Sequence, residues 1–276
     1  AEIAAPLPMI LIGDMLGVQP EDRDTLLRWS DDLLGGLSTS ASPEALASAA
    51  RAAGEYVAYA RRVIADRRAR PPQEDLMSVL VHAEIEGERL DDEALIQESL
   101  LILVGGDETS RHVISGGMLA LMRHPDERRK LLADPRRIPV AVEEMLRWVT
   151  PIQNMSRTAT CDVERRGQTI REGEKVLLLY PSGNRDRRAF PEPTRFDVER
   201  TPNEHVAFGG YGAHFCLGAS LARLELRVMF EELLARLPDL ELASEEEPPL
   251  RPSNFIVGVE RLPVRFTPGR RLGASV

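Results

Sequence analysis

Residues 205–237 read HVAFGGYGAHFCLGASLARLELRVMFEELLARL, and Pro238 follows. Gly209, Gly210, Gly212 and Gly218 surround Cys216. A backbone stripped of side-chain bulk lets a flat ligand lie against the main chain at van der Waals distance. From Cys216 onward the pattern turns helical: Leu217, Leu221, Leu224, Val228, Phe230, Leu233, Leu234 and Leu237 form an apolar face that Pro238 ends. Cys216 is thereby expected at a helix N-terminus. Unpaired N–H groups and the positive end of the helix dipole there favour a thiolate, lowering a free-cysteine pKa of about 8.5 by one to several units.

Composition narrows the class. With 276 residues, 43% of them hydrophobic, the chain can bury a large core in one or two domains. Its net charge of −9 argues against a nucleic-acid partner. The arginine clusters Arg61, Arg62, Arg67, Arg68 and Arg185, Arg187, Arg188 read as solvated faces and loops. No apolar run reaches the roughly 18 residues of a membrane span, and AEIAAPLPMI lacks the succession of a signal peptide, so a cytoplasmic location is expected. Cys161 and Cys216 are too few for a disulfide framework or a cysteine-rich zinc site and are expected as reduced thiols. The first residue is Ala, with no capping or turn signal before it, which reads as a piece of a longer chain.

Helical patterns dominate residues 1–150 and a mixed region follows over 151–276, so the class is mainly α with a minor β region. The longest helix starts after Asp91, an N-cap backed by Asp92 and Glu93, and runs to Pro125. At 1.5 Å per residue it is a rod of about 50 Å. Gly105 and Gly106 sit in its middle, each costing about 1 kcal/mol against Ala, so something must press on the backbone there. A second helix covers 139–148. TATCDV, KVLLLY, NFIVGV and LPVRF read as short strands, and SEEEPPLRP as an acidic, proline-rich surface loop.

Single motifs carry little weight. Glu-x-x-Arg occurs at Glu86/Arg89, Glu108/Arg111, Glu144/Arg147 and Glu192/Arg195, and alone it shows only that the chain is charged. The ordered series is specific: GGDETS in the long helix, then EMLR at 144–147, PEPTRF at 191–196 and FGGYGAHFCLG at 208–218. In this series the chain resembles the cytochrome P450 family across essentially its whole length. The resemblance implies a single partial cytochrome P450 fold over 1–276, with about a third of the usual chain absent at the N-terminal side. It further implies haem b as cofactor, with Cys216 as axial thiolate and metal ligand. Phe208, Gly209, Gly210, Gly218 and Gly105 would adjoin the haem, and Arg157 and His214 would meet its propionates. Glu144, Arg147 and Arg195 would form a buried network behind the cysteine loop. Glu108 and Thr109 would be the acid and alcohol pair beside dioxygen. One departure is visible: Phe208 lies eight residues before Cys216, where the family's usual loop has seven, as in a subgroup of bacterial members.

LILVGGDETSRH, VEEMLRWVTPIQNM and LRPSNFIVG look like the bacterial members that hydroxylate the terminal methyl of a cholesterol or cholest-4-en-3-one side chain. That similarity implies a lipophilic substrate against Val104, Gly105, Ile152, Gln153, Asn154, Met155, Phe255 and Ile256, and electrons from a ferredoxin and its reductase. Ordinary alternatives stand beside each reading. Thr109 in isolation reads as a mid-helix threonine bonded to a carbonyl one turn back, unless the Gly105–Gly106 break opens a groove beside it. His82, His112, His124 and His205 lack metal-site spacing and read as surface or packing residues. A fatty-acid or polyketide hydroxylase, and a truncated haem- or lipid-binding remnant without turnover, remain the competing functions.

Overall fold

The computed structural model describes residues 2–38 and 41–269. They form two compact units divided between Arg111 and His112. The first comprises α1 (Pro6–Met15), α2 (Arg23–Gly36), α3 (Pro43–Arg68), α4 (Leu76–His82) and the first part of α5 (Asp92–Arg123). Each later helix begins on a side-chain cap: Ser42 accepts from the Ala45 N–H at 3.2 Å, Asp75 from Ser78 at 2.7 Å, and Asp91 from Ala94 at 2.8 Å. α2 packs on α1 and α3, and α3 on α4. Leu26, Trp29, Tyr56, Ile64, Leu95, Ile96 and Leu103 are buried there. The buried Tyr56 hydroxyl donates to Ser99 Oγ at 2.9 Å, which satisfies a polar group the core would otherwise strand.

Arg67 departs from the expected solvated cluster. It is buried and donates to Asp75 Oδ2 at 2.9 Å and to the Gly17 carbonyl at 3.2 Å, fastening the end of α3 to the chain before α4.

The second unit holds the rest of α5, then α6 (Pro125–Ala133), α7 (Ile138–Val149), α8 (Tyr180–Gly183) and α9 (Ala219–Arg236). Its described residues form antiparallel pairs: β1 (Asn154–Thr158) with β4 (Lys175–Leu179), β2 (Val163–Arg165) with β3 (Gln168–Ile170), and β5 (Glu241–Leu242) with β6 (Val264–Arg265). KVLLLY and LPVRF are thus strands over part of their length. TATCDV is not: only its ends, Thr158 and Val163, lie in strands, and the chain turns between them. Asp162 Oδ1 accepts the Glu172 N–H at 2.8 Å and so ties the start of β2 to the chain after β3. NFIVGV forms only isolated bridges, Ile152 to Ile256 and Leu250 to Val259.

α9 packs on α6 and α7, with Leu226 and Phe230 fully buried. Gly117 on α5 permits this closeness, because a Cβ there would stand 3.0 Å from Phe230 and 3.1 Å from Met145. Arg128 on α6 donates to the carbonyls of Leu240 and Pro238, both at 2.6 Å, and so satisfies the chain leaving α9. No helix among the described residues is long and apolar enough to cross a membrane.

Candidate functional site

The chain before α9 folds back on itself so that the Cys216 N–H donates to the Phe208 carbonyl at 3.0 Å. Inside this closure Phe215 N–H donates to the Gly212 carbonyl at 3.1 Å, and Gly209 and Gly212 take φ of +84° and +107°, where a side chain would be strained. Added Cβ atoms on Gly210, Gly212 or Gly218 would meet nothing within 4 Å. Tyr211 and Leu217 are fully exposed, and Phe215 is half exposed. The loop therefore presents an open, largely apolar face, and Cys216 in it is exposed as a residue although the atoms packed around its thiol desolvate the sulfur. A planar, mostly hydrocarbon group with one metal atom needs such a donor set, so these residues fit haem.

The protonation of Cys216 departs from the sequence expectation. Burial pushes the thiol pKa up, against a hydrogen bond from Gly218 and the positive charge of Arg223, which lower it. Desolvation outweighs the helix start here: α9 begins at Ala219 with Gly218 as its cap, and the Gly218 N–H offsets the burial only in part. A coordinated metal ion deprotonates such a thiol outright.

Behind the loop, Glu144 and Arg147 on α7 are both 0% exposed and pair in two parallel contacts of 2.7 Å. Arg147 also donates to the carbonyls of Asn184 at 2.8 Å, Pro193 at 2.9 Å and Arg195 at 3.2 Å. Asn184 extends the network, accepting the Val206 N–H at 2.8 Å, and the Val206 carbonyl accepts from Gly209 at 3.0 Å. A rigid path thus joins the buried pair to the cysteine loop.

Arg195 is not the third charged member. Its side chain is 54% exposed and pairs with Glu192 at 3.2 Å, so only its carbonyl joins the network. Arg200 takes that place: 9% exposed, it donates to Glu144 Oε2 at 3.1 Å and to the carbonyls of Pro191 and Arg195 at 2.8 and 2.9 Å. Asn203 and the Asp197 N–H complete the shell of Glu144. Sequence reasoning missed Arg200 because it lies in an irregular segment where no periodicity marks a buried face.

The middle of α5 behaves differently from the expected break. The helix runs uninterrupted through Gly105 and Gly106, and Thr109 Oγ1 donates to the Gly105 carbonyl at 2.8 Å, the ordinary bond one turn back. The pressing group is Ile12 of α1, whose Cδ1 would stand 2.2 Å from a Cβ on Gly106. Nothing lies within 4 Å of a Cβ on Gly105, so open space does exist beside Thr109. Glu108 is buried and accepts from Arg111, which also pairs with the more exposed Asp31.

Other expected residues fall as follows. Arg157 on β1 and His214 in the loop are exposed. The segment after α7 meets the turn near 255: Gln153 N–H donates to the Phe255 carbonyl at 2.8 Å, and Asn154 Nδ2 to the Asn254 carbonyl at 2.6 Å. Ile256 is buried core, Ile152 and Phe255 are partly exposed, and Met155 is exposed. Val104 is partly exposed on α5. Of the histidines, His112 is buried against Gly258, His124 packs on Trp148 and Phe196, and His205 bonds Glu143 at 3.1 Å.

Comparison with known proteins bears on the whole chain. A steroid C26-monooxygenase of Mycolicibacterium smegmatis is 52% identical over 267 residues, covering 97% of this chain and 66% of that protein. A methyl-branched lipid omega-hydroxylase of Mycobacterium bovis is 42% identical, covering 97% of this chain and 62% of its own length. A Mycobacterium marinum cytochrome P450 solved with pseudoionone superposes with a TM-score of 0.89 at 42% identity, covering 95% of this chain and 63% of that one. This chain therefore spans about two thirds of the length of these relatives. The cytochrome P450 family model matches residues 39–267, and with that match and these identities the chain belongs to the cytochrome P450 family, with a haem iron cofactor held by a thiolate.

Proposed function

We propose that residues 1–276 are one P450 domain lacking its usual N-terminal portion, and that in the full-length protein it acts as a cytoplasmic haem-thiolate monooxygenase with Cys216 as the axial ligand. The carrying observation is the loop geometry: the Cys216 amide is pinned to Phe208, and the surface around the residue is open and apolar. Haem, when bound, supplies activation of dioxygen, the thiolate's electron donation favouring cleavage of the oxygen–oxygen bond. The chain does the rest. Phe208, Gly209, Gly210 and Gly218 of the second unit, and Gly105 of the first, are the residues assigned to the cofactor, with Arg157 and His214 for its propionates. The buried Glu144–Arg147 pair with Arg200 stiffens the support of the loop. Thr109 serves as the proton donor; its hydroxyl, now bonded to the Gly105 carbonyl, turns toward the open space beside Gly105 to do so. Glu108, the acid beside Thr109, connects it to solvent protons, with Arg111 pairing its carboxylate in place.

The substrate in this reading is a sterol, cholesterol or cholest-4-en-3-one, hydroxylated at the terminal methyl of its side chain with electrons from a ferredoxin and its reductase. The 52% identical relative named for steroid C26 oxidation supports it, as does the apolar character of Val104, Ile152, Met155 and Phe255. The 42% identical lipid omega-hydroxylase favours a second reading, a methyl-branched acyl chain oxidised at its end. Both require an apolar slot that admits one terminal methyl.

The reduced, carbon-monoxide-bound spectrum tests the ligand. Cys216→Ser is expected to abolish the thiolate signature, since a serine hydroxyl stays protonated and ligates poorly, while Cys161→Ser leaves it intact. The opposite result would move the ligand to Cys161.

A further inference from the structure

Glu143, next to the buried Glu144, belongs to a separate cluster that the reading above does not use. Its carboxylate takes a two-pronged contact from Arg223 on α9, with Nε to Oε1 at 2.7 Å and the terminal nitrogen to Oε2 at 2.9 Å. His205 Nε2 reaches Oε2 at 3.1 Å. The Ala207 N–H donates to His205 Nδ1 at 3.2 Å, so Nδ1 is an acceptor and Nε2 carries the proton given to Glu143. The Arg223 guanidinium carbon stands 4.6 Å from the centre of the Phe208 ring, close enough for a cation–π contact, and Phe208 also touches His205 and Phe215. The Phe208 carbonyl in turn accepts the Cys216 N–H. Arg223 therefore does not stand free on the surface of α9. Its charge is spent inward, unlike that of Arg227 one turn on, whose partner is Glu231 at 3.8 Å on the same helix.

We propose that Arg223 is a positioning residue for Cys216: clamped by Glu143, it holds Phe208 in place and keeps a fixed positive charge against the cysteine loop. The proposal rests on the reading of Cys216 as the haem ligand. Two properties should follow. Fixing Phe208 limits the ways the loop can open, because the Phe208 carbonyl holds the ligand's own amide. The nearby cation withdraws electron density from the thiolate and so favours the reduced state of the bound group. A bidentate arginine does both, whereas lysine keeps charge without the planar stack or the fork.

The test uses the haem-loaded, full-length protein and three variants, Arg223→Gln, Arg223→Lys and Arg227→Gln, with Glu143→Gln as a fourth that leaves the arginine in place. Two measurements are made: the midpoint potential, and the fraction of the reduced carbonyl that keeps the thiolate signature over time. Arg223→Gln should lower the potential and speed loss of the signature. Arg223→Lys should recover the potential but not the persistence of the signature, and Glu143→Gln should shorten that persistence. Arg227→Gln should match the parent in both. If Arg223→Gln matches Arg227→Gln, the positioning role is overturned. Should Arg223→Gln not fold, as judged by its helical circular dichroism, the Lys and Glu143→Gln variants decide, and parent-like persistence in both overturns the role. A parent protein that itself lacks the thiolate signature would instead refute the ligand reading, so the two failures are distinct.

Discussion

Two stretches of this chain spell the same pattern, a glutamate followed three residues on by an arginine, and fold into opposite environments. Glu144 and Arg147 on α7 are 0% exposed and share six further polar contacts with backbone and side chains around them. Glu192 and Arg195 pair at 3.2 Å in a surface turn, 72% and 54% exposed. In water the second pair loses nearly as much solvation and side-chain freedom as it gains in attraction. In the interior the first pair has no water to fall back on, so each charge depends on its partner. The lesson is that the motif carries no energy by itself; the surrounding elements decide it.

The sharpest break of this contrast is removal of one acid from each pair. Glu144→Ala leaves two guanidinium groups, Arg147 and Arg200, facing a buried gap, and a loss of about 3 to 5 kcal/mol of stability is expected. Glu192→Ala should cost about 0 to 1 kcal/mol. Denaturant unfolding of both variants, compared with the parent at equal slope, measures the gap. Losses that agree within about 1 kcal/mol would mean that the α7 pair is solvated.

The arginines sharpen the comparison one step further. Arg200→Ala removes charge-assisted hydrogen bonds to Glu144 and to loop carbonyls, with an expected loss of about 1.5 to 3 kcal/mol. Arg195→Ala should stay within about 1 kcal/mol, because its carbonyl, the part that Arg147 uses, is unchanged. A larger loss for Arg195→Ala would restore the sequence expectation that Arg195 is the third buried charge.

That expectation shows where the sequence is legible. α5, α7 and α9 were readable because period and caps mark them: Asp91 before α5, Pro139 inside α7, Pro238 after α9. The cysteine loop was readable because glycine has a physical reason to cluster around an approaching plane. Arg200, Glu143 and His205 were not, since their partners come from distant segments joined only by the fold: Glu143 meets α9, and Arg200 meets α7. NFIVGV looked like a strand because its residues favour extended chain, yet the structure gives it bridges alone. The thiol of Cys216 was misjudged for a similar reason: residue type and helix position were visible, but the desolvation that pushes its pKa up was not.

The smallest expected effect lies at the two adjacent glycines of α5, where the same contrast of surroundings occurs between neighbours. A Cβ at position 106 would sit 2.2 Å from Ile12 Cδ1 and 2.3 Å from its Cγ1, so α1 or the Ile12 side chain must shift. Gly106→Ala is therefore expected to lose about 1 to 3 kcal/mol despite alanine's better helix propensity. Pairing it with Ile12→Ala should recover part of that loss, since the colliding atoms are gone. At position 105 a Cβ meets nothing within 4 Å, and the helix is continuous on both sides. Gly105→Ala should then raise stability by up to about 1 kcal/mol, the propensity gain alone. Thermal unfolding of the two single variants gives opposite signs if Gly106 serves packing and Gly105 serves open space. A loss at Gly105 comparable to that at Gly106 would show that residue 105 also bears a packing contact, and the proposed slot beside Thr109 would be closed.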